Sequence, residues 1–336
     1  MQTILITTVA LSLLTTGTVA AQEEEPDRSE TMPDARPVLE QLEEIVADRG
    51  EPEKSSAAMM APSSRGGLIL FGENAPVLAV QLAPYPEDQY WRRYYIHPLF
   101  APSQAILTED APEDHPHHRG IFTAWRRIHI DGQSIGDSWS GEHVHQGDEG
   151  PQGLGWAYGD DRDPHYDIKM MFHFDWYSDL FHPTEPFMRE TMRIKADEET
   201  ADGLRKILIS TEVTALTPGL QLGGTDDEKG YGGMSFRFAH PDKMDIESDG
   251  ERLTATNAAM QTGETVAFLW DGQGKDVPPN WPQEISVACT VNGEPWTNWV
   301  LRQELSMQNC AWPGNTMADV PMDEPVVIEA TITIRQ

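Results

Sequence analysis

Ile168-Lys-Met-Met-Phe-His-Phe-Asp-Trp176 is the stretch that sets the fold class of this chain. Apolar residues at Ile168, Met170, Phe172, Phe174 and Trp176 alternate with Lys169, Met171, His173 and Asp175. Side chains of a strand point alternately to its two faces, so a period of two predicts a β-strand with one buried face. We therefore expect His173 and Asp175 to point away from the apolar core.

Similar β-prone runs, separated by Gly, Pro and Asn, continue along most of the chain, and sustained helical periodicity is missing after residue 67. The predicted strands cover residues 68–71, 77–82, 92–96, 120–130, 168–176, 188–194, 204–216, 231–238, 285–291 and 326–335. Many strands without intervening helices are typical of two sheets that pack face to face. We predict an all-β protein, a large antiparallel β-sandwich with long loops and a short N-terminal helix.

The N-terminal part differs in composition from the rest. Residues 1–21 join an apolar, Thr-rich segment to Val19-Ala20-Ala21, which is typical of a secretory signal peptide, although a basic first region is missing. Residues 22–66 read as an acidic tether, within which residues 37–50 have the periodicity of a short helix. Residues 67–336 are expected to form a single β-sandwich domain, and the protein to be secreted or periplasmic.

The formal net charge of −31 restricts the partners of the protein. Electrostatic repulsion argues against binding to nucleic acid or to anionic membranes. No stretch after the signal approaches the ~20 apolar residues that a membrane span requires. Cys289 and Cys310, the two cysteines of the chain, leave two interpretations open: a disulfide in an oxidising compartment, or two buried thiols.

The segment Asp114-His-Pro-His-His-Arg-Gly120 places three imidazoles and a guanidinium within seven residues. Imidazole moves protons or binds metals near neutral pH, and arginine binds carboxylates through paired hydrogen bonds. We expect His115, His117 or His118 to act in acid–base chemistry and Arg119 to bind substrate. One of these histidines is also expected to satisfy buried backbone groups instead.

A metal site is the less favoured interpretation of the same segment. In an extended chain His117 and His118 face apart, and Pro116 separates His115 from His117. A metal ion would then need a distant ligand, and the candidates are His97, Glu142, His143 and His145. No nucleotide cofactor is expected, because no phosphate loop or dinucleotide motif occurs in a supporting context. A pair of glycosidase carboxylates stays open, since such pairs are spread along a sequence.

The predicted strand at residues 231–238 offers a second wall for a site. If it is extended, Tyr231, Ser235 and Arg237 share one face, and the apolar residues between them share the other. Ordinary cross-strand pairing of Tyr231 and Arg237 is the structural alternative. The long connection at residues 131–164 adds Trp139, Glu142 and His145, and we expect it to be ordered and to contribute to the site.

Several motifs resemble the secreted PmoA-type family, whose members are often labelled "methane oxygenase". The motifs are Arg93-Tyr-Tyr-Ile-His-Pro-Leu-Phe-Ala-Pro-Ser103, Leu107-Thr108, Asp114 to Phe122, Ala124-Trp125, Asp137-Ser-Trp139, Gly230-Tyr-Gly-Gly233 with Arg237, and, more weakly, Thr297-Asn-Trp299 with Arg302. The resemblance covers residues 68 to the C-terminus. It implies a galactose-mutarotase-like β-sandwich, and by analogy a carbohydrate-active protein.

Three hypotheses about function follow from the residues and the resemblance. The leading one is an exported carbohydrate-active enzyme of epimerase, lyase or hydrolase type. In it His115, His117, His118 and Tyr231 are catalytic, and the substrate-binding residues are Arg119, Arg237, His97, Trp139, Glu142, His145 and Arg302. The second is a glycan-binding protein with exposed tryptophan platforms, drawn from Trp91, Trp139, Trp156, Trp270, Trp296 and Trp299. The third is a metal-dependent enzyme, including an oxygenase.

Overall fold

The computed structural model describes residues 60–62, 66–72, 75–84, 92–113, 115–158, 168–197, 203–239, 244–270, 277–303 and 307–336. The predicted signal peptide and the predicted helix at residues 37–50 lie outside the described residues. Within the stretch expected to be a tether, Met60–Pro62 forms a short strand. The described part of the chain contains no helix, so it holds none that could cross a membrane.

The strands follow one another in short segments along the chain. The first eight are β1 Met60–Pro62, β2 Gly67–Phe71, β3 Pro76–Gln81, β4 Tyr95–Leu99, β5 Ile121–Trp125, β6 Arg127–Ile130, β7 Gln133–Gly136 and β8 Val144–Gln146. The next eight are β9 Gln152–Tyr158, β10 Ile168–Ser178, β11 Met188–Ala196, β12 Leu204–Ala215, β13 Leu220–Gly223, β14 Gly232–Arg237, β15 Asp245–Ser248 and β16 Glu251–Leu253. The last eight are β17 Ala259–Gln261, β18 Thr265–Leu269, β19 Glu284–Val291, β20 Glu294–Pro295, β21 Asn298–Val300, β22 Met307–Ala311, β23 Met317–Asp319 and β24 Val326–Arg335.

Two large antiparallel sheets carry the fold, as predicted. One has nine strands in the order β1-β2-β3-β4-β5-β14-β22-β21-β17. The other has eleven, in the order β16-β15-β18-β19-β24-β12-β11-β10-β8, with β20 beside β19 and β9 beside β10. A smaller sheet, β23-β13-β6-β7, adds four strands.

The strand β10 shows why the two sheets pack together. Its apolar residues at alternate positions from Ile168 to Trp176 are buried, and they pair with the similarly alternating β11. Tyr94, next to β4 of the nine-stranded sheet, stacks on Phe174 with ring centroids 4.2 Å apart. Both sheets contribute to one apolar core, and burial of each large side chain contributes roughly 1.5–3 kcal/mol. Asp175 lies on the opposite face, where it forms a bidentate ion pair with Arg189 at 2.7 and 2.9 Å.

The run predicted as one strand at residues 120–130 is in fact two strands of different sheets. The chain leaves the nine-stranded sheet after Trp125 and enters the four-stranded sheet at Arg127. The connection predicted at residues 131–164 likewise contains β7, β8 and β9. Both the split of residues 120–130 and the strands within residues 131–164 were missed because β-propensity along the chain does not show where a strand changes its pairing partner.

A disulfide between Cys289 and Cys310 joins the two large sheets, since Cys289 lies on β19 and Cys310 on β22. The bridge closes a loop with a sequence separation of 21 residues. Cross-linking at that separation restricts the unfolded chain by about 3 kcal/mol. Of the two interpretations left open by the sequence, the structure has the bridge.

We predict that the double variant Cys289→Ala/Cys310→Ala loses about 3 kcal/mol of unfolding free energy, because the unfolded chain gains freedom. Urea unfolding of the variant and of oxidised protein measures this loss. Wild-type protein treated with a reductant serves as the control and should approach the variant. Two titratable thiols per chain in unfolded, unreduced protein would contradict the bridge.

Candidate functional site

The candidate site lies on the face of the nine-stranded sheet that points away from the main core. A small aromatic cluster occupies this face, made up of Tyr95, Phe122, Ala124, Trp139 and Met307, with Tyr231 packed against it. Alternation along β5 and β14 explains the separation, because Ile121 and Met234 enter the main core. The predicted division of the strand at residues 231–238 is confirmed: Arg237 and Ser235 lie opposite the apolar residues of the core.

The three histidines come together in a β-turn. The backbone N–H of His118 donates to the carbonyl of His115 at 2.9 Å, with Pro116 at the second position, where proline is favoured. The ring of His115 stacks on that of His118 at 4.6 Å, and His117 meets His118 edge-on at 4.5 Å. The expectation of an extended segment with diverging histidines was therefore wrong. Asp114 lies outside the described residues.

Gly120 allows the chain to pass from this turn into β5. A Cβ atom at Gly120 would lie 2.1 Å from the carbonyl oxygen of Ile96 and 3.0 Å from the Cβ of His97. Such distances are impossible for another residue without backbone movement. The histidine turn is thereby held tightly against β4.

Arg237 fixes the tautomer of His118. Arg237 Nη1 lies 3.3 Å from His118 Nδ1, and both side chains are buried, at 2% and 5% exposure. A guanidinium has donors only, so Nδ1 accepts the hydrogen bond. The proton of the neutral imidazole consequently resides on Nε2. Glu109 accepts from Arg237 Nε at 2.6 Å and so orients the guanidinium.

Both deeper histidines are neutral at pH 7. Burial lowers the pKa of His118 far below its ordinary value, and the neighbouring His117, Arg237, His115 and Arg302 lower it further. Burial also lowers the pKa of His117 to about 4, assisted by His115 and by the charges of Arg92, Arg126 and Arg119. Two neutral imidazoles among arginines are suited to a developing or bound negative charge.

Arg119 holds the histidine turn in place and is also a predicted substrate-binding residue. Its side chain is 1% exposed and forms an ion pair with Asp110 at 3.3 Å. The hydroxyl of Tyr95 donates to the other oxygen of Asp110 at 3.1 Å, and the Arg119 guanidinium lies 5.7 Å from the Tyr95 ring centroid. Breaking a buried pair of this kind is strongly destabilising, so Arg119 holds the loop in place.

Trp139 connects the histidine turn to Tyr231. Its ring lies 6.4 Å from His118 in a perpendicular arrangement and 5.5 Å from Tyr231 at an interplanar angle of 34°. The guanidinium of Arg302 lies 5.5 Å from the Tyr231 ring centroid on that side. The structure thus brings together seven of the predicted residues, namely His115, His117, His118, Arg237, Trp139, Tyr231 and Arg302.

Trp139 is itself held by residues that are not among the predicted site residues. Asp137 accepts a hydrogen bond from the Trp139 backbone at 2.6 Å and pairs with Arg126 at 2.6 Å. Arg92 donates to the carbonyls of Ser138 and Trp139, both at 2.9 Å. The Asp-Ser-Trp sequence offered a signal for this role, since Asp commonly accepts from the backbone two residues on.

Three predicted residues contact other groups. His97 Nδ1 lies 3.0 Å from the hydroxyl of Thr108, next to Glu109 on the edge of the site. Glu142 is 72% exposed, with its carboxylate 3.9 Å from His143. His145 stacks on Tyr177 of β10, in the eleven-stranded sheet. Across the described ranges, no group of three His, Cys, Asp or Glu side chains is placed to hold a metal ion.

The sequence of residues 71–335 matches the model of a family of unknown function, DUF6807. The chain belongs to this family. The match spans β3 to β24 and includes every residue of the histidine turn and of the Tyr231 side. No curated protein matches the chain.

Proposed function

We propose that this DUF6807 member is an exported carbohydrate-active enzyme that performs acid–base chemistry on a sugar, of epimerase, lyase or hydrolase type. The arrangement around His118 carries the proposal: an imidazole of fixed tautomer, in contact with two other imidazoles and with Trp139. Groups with strongly shifted pKa values that converge in this way are typical of active sites. The resemblance to the PmoA-type family and its mutarotase-like fold supports a sugar as the substrate.

The geometry suggests a distinct role for each group. His118 presents Nε2–H, so it donates a hydrogen bond to an oxygen that gains negative charge. His117 is partly exposed and neutral above pH 4, so it accepts the proton that the substrate loses. The hydroxyl of Tyr231, on the other side of Trp139, supplies the proton that the departing or newly configured group requires. Arg237 and Glu109 position His118.

Two further observations bear on the proposal. The Cys289–Cys310 disulfide supports export, because such bridges persist in oxidising compartments. Among the tryptophans whose side chains the structure describes, Trp139, Trp270 and Trp299 are buried and Trp296 is partly buried. A glycan-binding protein is expected to expose a flat platform of such rings, so this arrangement favours the enzyme over the binding module.

A screen of neutral and acidic polysaccharides tests the proposed function. We expect at least one to be converted by the wild-type protein, detected as new reducing ends, as unsaturated product by ultraviolet absorbance, or as an epimer by NMR. The variant Tyr231→Phe keeps the ring and removes the hydroxyl, and we expect it to lose roughly 10²-fold or more in kcat. Folded wild-type protein that converts no member of the panel would contradict the enzyme proposal.

The pH profile gives a separate prediction about His117. Because its pKa is lowered to about 4, the basic form predominates above that pH. We therefore expect kcat/KM to rise with pH through about 4 and to be flat near pH 6.5, where an ordinary histidine titrates. His117→Gln should have a much lower kcat/KM, and that value should not rise with pH through about 4. A limb near 6.5 in the wild-type protein would contradict the assignment of His117 as the base.

A further inference from the structure

The charge around the histidine turn has the opposite sign to that of the whole protein. The chain carries a net charge of −31, yet five arginines act on the rings of His117 and His118: Arg92, Arg119, Arg126, Arg237 and Arg302. Three of these arginines form ion pairs inside the structure, which are Arg119 with Asp110, Arg126 with Asp137 and Arg237 with Glu109. Arginines that cluster in an acidic protein create a local positive potential, and this potential attracts anions.

Arg302 differs from these three arginines. Its guanidinium forms no ion pair with any carboxylate among the described residues, and its Nε atom is buried without an acceptor there. Arg302 is partly exposed, and its positive charge contributes to the lowered pKa of His118. A half-buried guanidinium that lacks a counter-charge is unfavourable unless a ligand supplies one.

The backbone of Arg302 is held in place before any ligand arrives. The backbone N–H of Arg302 donates to Gln308 Oε1 at 3.0 Å, and Gln308 Nε2 donates to the Arg302 carbonyl at 2.7 Å. Gln308 is fully buried on β22, and the Arg302 guanidinium lies over the Tyr231 ring. A binding group held in this way loses little conformational entropy when it meets a ligand.

We propose that Arg302 binds the carboxylate of an acidic sugar, so that the substrate of the site contains uronic acid. This inference rests on the proposed function, because it assigns a substrate class to the same site. The planar guanidinium matches a planar carboxylate through two parallel hydrogen bonds, and the Tyr231–Trp139 pair offers ring faces beside it. Arg302 carries one positive charge, and the carboxylate of a single uronate supplies the matching negative charge.

Calorimetry on the full-length protein tests the inference with oligosaccharides of galacturonic and glucuronic acid and with the matched galactose and glucose oligosaccharides. We expect the uronates to bind at least tenfold more tightly than the neutral sugars. Arg302→Gln should weaken uronate binding by roughly 10- to 100-fold and leave neutral sugars little changed. Arg252→Gln removes one positive charge from the β15–β16 hairpin and serves as the matched control, with unchanged binding.

The variant Arg302→Lys keeps the charge and loses the planar fork, so its affinity for uronates should lie between those of the wild type and Arg302→Gln. Thermal unfolding verifies that both variants are folded; if Arg302→Gln is not, Arg302→Lys decides the outcome. Equal binding of uronates by wild type and by a folded Arg302 variant would overturn the inference.

Other outcomes separate this inference from the proposed function. Binding or conversion of neutral sugars alone would overturn the uronate assignment and leave the proposed function in place. Binding of sulfated galactose oligosaccharides without binding of uronates would overturn the carboxylate assignment in the same way. Conversion of no sugar and binding of none would contradict the proposed function itself, and the inference with it.

Discussion

Replacing His118 by alanine is expected to lower kcat of the proposed reaction by roughly 10²- to 10⁴-fold, the range for a group that donates to or accepts from a reacting atom. The reason is that the Nε2–H of His118 is the proposed hydrogen-bond donor to the substrate, since Arg237 occupies the Nδ1 side. Steady-state kinetics on the polysaccharide identified by the screen measure the effect. The loss should appear in kcat more than in KM, since the contact strengthens as charge develops.

The variant His118→Asn separates chemistry from structure. Its amide oxygen can still accept from Arg237, so the buried guanidinium keeps a partner, but the Nε2 donor is lost. We expect an activity loss similar to that of His118→Ala with a melting temperature close to that of the wild type. His182→Ala, at a partly exposed histidine after β10, is the matched control and should retain activity. A loss of activity in His118→Asn that merely follows a loss of folding would make the turn structural.

The fold was predictable from sequence where the burial of each residue follows from the alternation of apolar and polar residues along its strand. The alternation from Ile168 to Trp176 places β10 with its buried face correctly, and the predicted strand at residues 326–335 coincides with β24. These are long strands that have a partner on both sides, and their two faces differ strongly in burial. The division of residues 120–130 was not predictable, because Trp125 and Arg127 pair with strands far away in sequence.

Part of the candidate site was predicted from the sequence as a set of residues, and its geometry was not. His118, Arg237 and Tyr231 were identified by their chemistry, yet their arrangement depends on a β-turn that Pro116 initiates and on hydrogen bonds over more than 100 residues. The carboxylates were missed for a physical reason. Glu109 and Asp110 look like ordinary loop acids in the sequence, and only the fold turns them towards buried arginines.

A second large effect is expected in the core between the sheets, at Glu190 of β11. The carboxylate is fully buried and accepts hydrogen bonds from Thr123 Oγ1 of the facing sheet, from Thr211 Oγ1 at 2.8 Å and from Trp176 Nε1 at 2.9 Å. Glu190→Ala removes the shared acceptor and leaves a cavity. We predict a loss of roughly 2–4 kcal/mol of unfolding free energy at pH 7, measured by urea unfolding. Unchanged stability would mean that the three donors find other acceptors.

The pH dependence of Glu190 is the sharper test, because its sign is fixed by the direction of the pKa shift. Burial raises the pKa of Glu190 above its ordinary 4.5, and the hydrogen bonds from Thr123, Thr211 and Trp176 oppose the rise only in part. Folding therefore favours the protonated acid, so the stabilisation is fully present below the unfolded pKa and is lost as the pH rises through the folded pKa.

Glu190→Gln cannot titrate and keeps the shape of the side chain, so all other titrations cancel when it is compared with the wild type. The stability of the wild type relative to Glu190→Gln should decrease as the pH is raised from 4.5, with unfolding by urea measured at several pH values. A difference that stays constant with pH, or grows as the pH rises, would contradict the raised pKa. In that case Glu190 would be ionised in the folded protein, because the three hydrogen bonds to its carboxylate would stabilise the charge by more than burial costs.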